Sequence, residues 1–178
     1  HAAPGASSSA LTAGGVAFRT PARFNLYKRT VQGYNTLMIS GEGSAFVPGV
    51  TAQEVFDFVM DPAQYLKANK RIVAITCLAP TDDGMIARED GLFMGRFEGS
   101  VISRYRWEVP WRIDTTLEHG HPEDMHAWWE IEERDGGVQM KHTETLTMPK
   151  PIRWAFDRFA GNWLSKSVQD EIDSIRRL

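Results

Sequence analysis

The chain has 178 residues, 42% of them hydrophobic and 24% charged, with a formal net charge of −3 at pH 7. That balance argues against nucleic acid as a partner, and no apolar run reaches the ~18 residues that cross a bilayer, which argues against stable membrane insertion. The expectation is one soluble globular domain, large enough to bury a core and keep an internal pocket.

His1 is not a natural start, so the chain reads as a tagged or processed product, with the cytoplasm as the default compartment. Residues 1–17, which open HAAPGASSSALTAGG, are a low-complexity tail or linker without the apolar content for a core. Residues 18–34 form an N-terminal extension of the domain at 18–178. Phe24, Tyr27, Val31 and Tyr34 fall at helical spacing there, among Arg19, Arg23, Lys28 and Arg29. Such a basic amphipathic segment either touches a membrane surface or, more commonly, packs on its own domain, and the second reading is adopted.

Leu37 to Val47 has strand character, and Gly41 and Gly43 within it mark a bend, a bulge or the close approach of another backbone. Pro48-Gly49 ends it. Thr51 and Glu54 form a capping box for a short helix with Val55, Phe56 and Val59 on its apolar face. Asp61-Pro62 starts a second short helix that ends near Ala68. Six strands follow, separated by turn residues: Ile72 to Leu78, Met85 to Phe93, Phe97 to Val109, Ile113 to His119, Met125 to Glu133 and Val138 to Met148. Short connections favour an antiparallel meander. The single cysteine, Cys77, lies in an apolar strand and reads as a buried structural thiol. From residue 152 to 178, Ile152, Phe156, Phe159, Trp163, Leu164, Val168, Ile172, Ile175 and Leu178 put an apolar stripe along one long helix.

Alternation along the strands shows what faces that stripe. Val138, Met140, Leu146 and Met148 share a face, and His142 and Glu144 fall on it with them. Trp129 shares its face with Met125, Ala127 and Ile131, while Phe97, Val101, Ser103, Tyr105 and Trp107 share another. A carboxylate on an apolar face has a raised pKa, and an imidazole two residues away can point into the same cavity, so His142 and Glu144 are candidates for acid–base chemistry, for anchoring a ligand, or for satisfying each other. Arg88 and Glu89 are adjacent on a strand of undetermined register, so one of them faces in. His119, His121 and His126 with Glu123 and Asp124 suggest a metal, but Gly120 and Pro122 break the strand, and neither a metal nor a cofactor is expected. Trp128, on a charged face, either marks a dimer contact or lies under a long side chain, which leaves monomer and dimer both open. No phosphate-binding loop, nucleophile elbow or Cys-x-x-Cys pair is present.

The stretch VTAQEVFDFVMDPAQYLK at 50–67, the strand series after it and the helix from Ile152 resemble the SRPBCC superfamily (START-like, helix-grip), in particular its polyketide cyclase/dehydrase-type members. The resemblance implies an α+β helix-grip fold: a seven-stranded antiparallel sheet wrapped around a long C-terminal helix, two short helices after the first strand, and a deep apolar cavity. It places Tyr65 at the cavity mouth, and it implies that an inward Arg88 would hold a carboxylate or enolate oxygen.

The resulting expectation is binding of a hydrophobic small molecule, lipid or polyketide, as carrier or sensor. Phe97, Val101, Trp107, Trp129, Met140, Phe159 and Trp163 would form the walls, and Tyr65, Arg88, Ser103, Tyr105, His142 and Glu144 would hold the polar end. One alternative is a polyketide cyclase or dehydratase with His142 and Glu144 as the acid–base pair and Tyr105 or Arg88 steadying an enolate. Another is a protein-interaction module with a large exposed apolar patch.

Overall fold

In the computed structural model, residues 36–93, 95–149 and 162–177 are described. The order of elements is the expected one: β1 (Thr36–Pro48), α1 (Ala52–Met60), α2 (Pro62–Ala68), β2 (Ile72–Thr81), β3 (Gly84–Phe93), β4 (Phe97–Glu108), β5 (Arg112–His119), β6 (Asp124–Arg134), β7 (Gly137–Pro149) and α3 (Trp163–Ile175). The strands form one antiparallel seven-stranded sheet ordered β1-β7-β6-β5-β4-β3-β2. β1 and β2 are its two edges, and α1 and α2 carry the chain from one edge to the other.

The short helices begin where their caps dictate. Thr51 accepts from the Glu54 N–H at 3.3 Å while the Glu54 carboxylate accepts from the Thr51 N–H at 2.8 Å, which satisfies two of the free amides at the start of α1. Asp61 accepts from the Ala63 N–H at 2.8 Å and Pro62 occupies the first turn of α2.

α3 lies against β1 and β7. Of the readings open for Gly41 and Gly43, close backbone approach is the one found. A Cβ on Gly41 would stand 2.8 Å from the Leu164 carbonyl carbon and one on Gly43 would stand 3.0 Å from the Gln169 Cα. The Gln169 side chain accepts from the Ser44 N–H at 3.2 Å and donates to the Ser44 carbonyl at 3.4 Å. Ala45, Val55, Phe56, Ile131, Val138, Met140, Ile172 and Ile175 are buried together where α1 and the last turns of α3 meet the sheet.

Cys77 departs from expectation: it is exposed. β2 is an edge strand with one neighbour, and its register slips between Ile72 and Ala74 and again between Cys77 and Ala79, so its apolar run is left uncovered at Val73 and Leu78. The tail at 1–17, the extension at 18–34, and residues 152–161 and 178 of the expected long helix, Phe159 among them, lie outside the described residues.

Candidate functional site

Between the sheet, α2 and α3 lies a cavity of about 630 Å³. Strand pleating selects its walls: Met85, Glu89, Gly91 and Phe93 from β3, Phe97, Gly99, Val101 and Tyr105 from β4, Met125, Ala127 and Trp129 from β6, and His142, Glu144, Leu146 and Met148 from β7. Most of this lining is apolar or aromatic. Phe97, His121 and Glu123 are exposed and stand at the mouth.

The inner end is polar and buried. Arg71, between α2 and β2, places Nη1 2.7 Å from Glu144 and Nη2 3.2 Å from Glu171 of α3. Glu171, 2% exposed, also accepts from the Tyr65 hydroxyl at 2.5 Å and from Asn69 Nδ2 at 3.0 Å. Asn69 in turn accepts from the Arg71 N–H at 3.0 Å, so the residue after α2 both holds the carboxylate and aims the guanidinium. The Arg71 guanidinium carbon stands 6.0 Å from the centre of the Trp163 ring, which packs edge-on to Phe93. His142 lies opposite Trp129 in the β6–β7 register and stacks on it, and its Nδ1 is 3.6 Å from Glu171, too far for a hydrogen bond.

Burial and charge set the protonation of these groups. Burial opposes the charge on Arg71, but Glu144 and Glu171 outweigh it and hold the guanidinium firmly protonated. Burial, reinforced by Arg71 and opposed by Glu144, pushes His142 down to about 3, so the ring is neutral at pH 7. Burial raises Glu171 against the pull of Arg71, and it raises Glu89 against the Ser103 and Tyr105 hydroxyls nearby. The Tyr65 and Tyr105 hydroxyls are pushed well above their ordinary value, first by burial and then by Glu171 and Glu89 respectively, and remain donors. Arg71 Nε, Glu89 Oε1, Ser103 Oγ and His142 Nδ1 are buried without a hydrogen-bond partner.

Tyr65, Phe97, Val101, Tyr105, Trp129, His142, Glu144 and Trp163 therefore line one cavity. Tyr65, however, is buried in the polar end rather than standing at the mouth. His142 and Glu144 do not form a pair: Glu144 turns to Arg71, and His142 faces Glu171. Arg88 is a correction. Its side chain points out and pairs with Asp90 at 2.8 Å, and the inward residue is Glu89, directly opposite Val101 on β4. Met140 is fully buried and Trp107 packs at the same end of the sheet, where α1 and α3 already fill the space, so neither reaches the cavity. Ser103 is buried at the Glu89 end without lining the open space.

Three polar residues of the site escaped the sequence reading, Asn69, Arg71 and Glu171, and Glu89 entered it only as the alternative to Arg88. Only Glu171 carried a signal, since it falls three residues after Val168 and four before Ile175, inside the apolar stripe. Of the histidines weighed for a metal, His126 pairs with Asp114 at 3.1 Å and lies tilted by 34° against the half-buried Trp128, and among the described residues no three His, Cys, Asp or Glu side chains are grouped as a metal site would need.

No family model and no curated protein matches the chain. Solved structures do. The protein TTHA0849 of Thermus thermophilus superposes with a TM-score of 0.68 at 13% identity, over 78% of this chain and 95% of that one. The Zhui aromatase/cyclase of Streptomyces sp. R1128 gives 0.65 at 14% identity, over 79% and 93%. A START superfamily protein of Mycobacterium smegmatis gives 0.55 at 18% identity, over 78% and 98%. The chain has the α+β helix-grip fold of START-like and aromatase/cyclase proteins.

Proposed function

We propose that the protein binds a hydrophobic small molecule, lipid or polyketide in the cavity between the sheet and α3, as a carrier or sensor. The observation that carries this reading is an open volume of about 630 Å³ with mostly apolar walls and a buried charged cluster at one end. Protein interiors close-pack, so an unfilled space of this size is unusual in a core and falls within the range of ligand sites. Burying an apolar body against Phe93, Trp129 and Trp163 drives binding, and the polar side chains of Arg71, Glu89 and Tyr105 orient one end.

The second reading is a cyclase or dehydratase, in keeping with the aromatase/cyclase among the fold neighbours. One observation favours it: Glu89 is a buried carboxyl with a free oxygen beside the Tyr105 hydroxyl, in the position of a proton donor to a bound carbonyl. His142 and Glu144, held by other partners, are less suited to exchange a proton with each other.

Native mass spectrometry of protein isolated from its source, followed by solvent extraction, tests the proposal. A co-purifying apolar molecule, displaced in the Val101→Trp variant that fills the cavity, is the expected result. Wild-type protein that carries nothing and takes up no apolar fluorescent probe would remove the carrier reading.

A further inference from the structure

We infer that the polar end of the cavity takes an uncharged hydrogen-bonding group, a hydroxyl or ketone oxygen, and rejects carboxylates and phosphates. This rests on the ligand-binding reading above and specifies its ligand.

Arg71 is the one Arg or Lys side chain that lines the cavity among the described residues, and its charge is already taken up. Nη1 is 2.7 Å from Glu144 and Nη2 is 3.2 Å from Glu171. A further carboxyl group, Glu89, lines the same cavity as Glu144, so three carboxyl groups and one guanidinium stand at this end. The way in has the same sign, since Glu98 and Glu123 line the cavity and are exposed. His142 supplies no compensating charge: it is 3% exposed and stacked on Trp129. An anionic head would arrive at a buried site with no cation left to neutralise it, the circumstance in which burying a charge is most unfavourable.

A neutral head meets the opposite situation. It adds no charge to this balance, and Arg71, Glu89 and Tyr105 line the cavity with groups that hydrogen-bond. A hydroxyl can both donate and accept there, and a ketone oxygen can accept from a donor such as the guanidinium or the Tyr105 hydroxyl, in neither case adding charge.

The test compares 1-decanol with decanoate, which share a chain and differ in the head, by calorimetry on the full chain at pH 7.5. Decanol should bind at least about ten-fold more tightly than decanoate. Glu144→Gln frees one side of Arg71 and should shift the ratio of the two affinities about ten-fold or more toward decanoate. Glu171→Gln gives an independent second case, and circular dichroism confirms that each variant folds. Decanoate binding as tightly as decanol to wild-type protein overturns the inference, as does an unchanged ratio in folded variants. If neither variant folds, the wild-type ratio decides alone. Uptake of neither probe removes the ligand-binding reading itself, an outcome distinct from uptake of both without discrimination.

Discussion

His142 lies flat against Trp129, ring centroids 4.1 Å apart and planes 11° from parallel, as directly opposed residues of β6 and β7. Stacking and burial keep the imidazole out of water and neutral. With His142 pushed down to about 3 in the folded protein against 6.5 when free, the unfolded chain binds a proton over that interval and the folded one does not. Stability therefore falls as pH drops through this window. Thermal melting of His142→Phe from pH 7 to pH 4 should show a shallower acid decline than wild type. An equally steep decline would mean that other groups govern it.

Glu89 predicts the opposite sign. Burial raises its folded pKa above the ordinary 4.5, so the folded state holds the proton longer, and the stability that this supplies is lost as pH rises through the folded value. Glu89→Gln keeps the shape without the ionisation. The variant should gain on wild type in denaturant melts as pH rises through and above the ordinary carboxylate range. A gap independent of pH would show that Glu89 does not titrate in that range.

Glu171 joins Tyr65, Asn69 and Arg71. Glu171→Ala removes the acceptor of the Tyr65 hydroxyl and of Arg71 Nη2 and one of the two acceptors of Asn69 Nδ2, and should cost about 3–5 kcal/mol in chemical denaturation. Arg71→Met alone strands Glu144 and Glu171, and the double variant should cost less than the two single losses added together. Strict additivity would mean that the two residues are not coupled.

Gly41→Ala places its new carbon 2.8 Å from the Leu164 backbone, where α3 cannot yield cheaply, and should cost about 1–3 kcal/mol. Gly99→Ala meets nothing within 4 Å and should stay within about 0.5 kcal/mol of wild type. Equal effects at the two positions would argue against close packing of α3 on β1.

Much of this arrangement was legible in the strands. In the structure the turn at Asp135-Gly136 pairs Arg134 with Gly137, which sets Trp129 against His142 and Ala127 against Glu144. Period-two alternation on β7 turned His142 and Glu144 inward. What stayed hidden depended on pairing across the sheet or on the connection after α2. Glu89 rather than Arg88 faces in because it pairs with Val101, a relation between two strands that neither states alone. Arg71 sits where α2 has ended and β2 has not begun, so no periodicity points to it. Cys77 misled because an apolar run looks the same on an edge as in the middle of a sheet.

The open volume beneath α3 has a thermodynamic consequence. Side chains that border a space of about 630 Å³ lack packing partners on that side, so a molecule bound there would add contacts that the fold does not itself supply. Any occupant acts as a piece of interior delivered from outside, and at a hundred times its dissociation constant it adds about 2.7 kcal/mol to stability. On the proposed binding reading, the melting temperature becomes a titration curve, in which a ligand registers by how far it postpones unfolding.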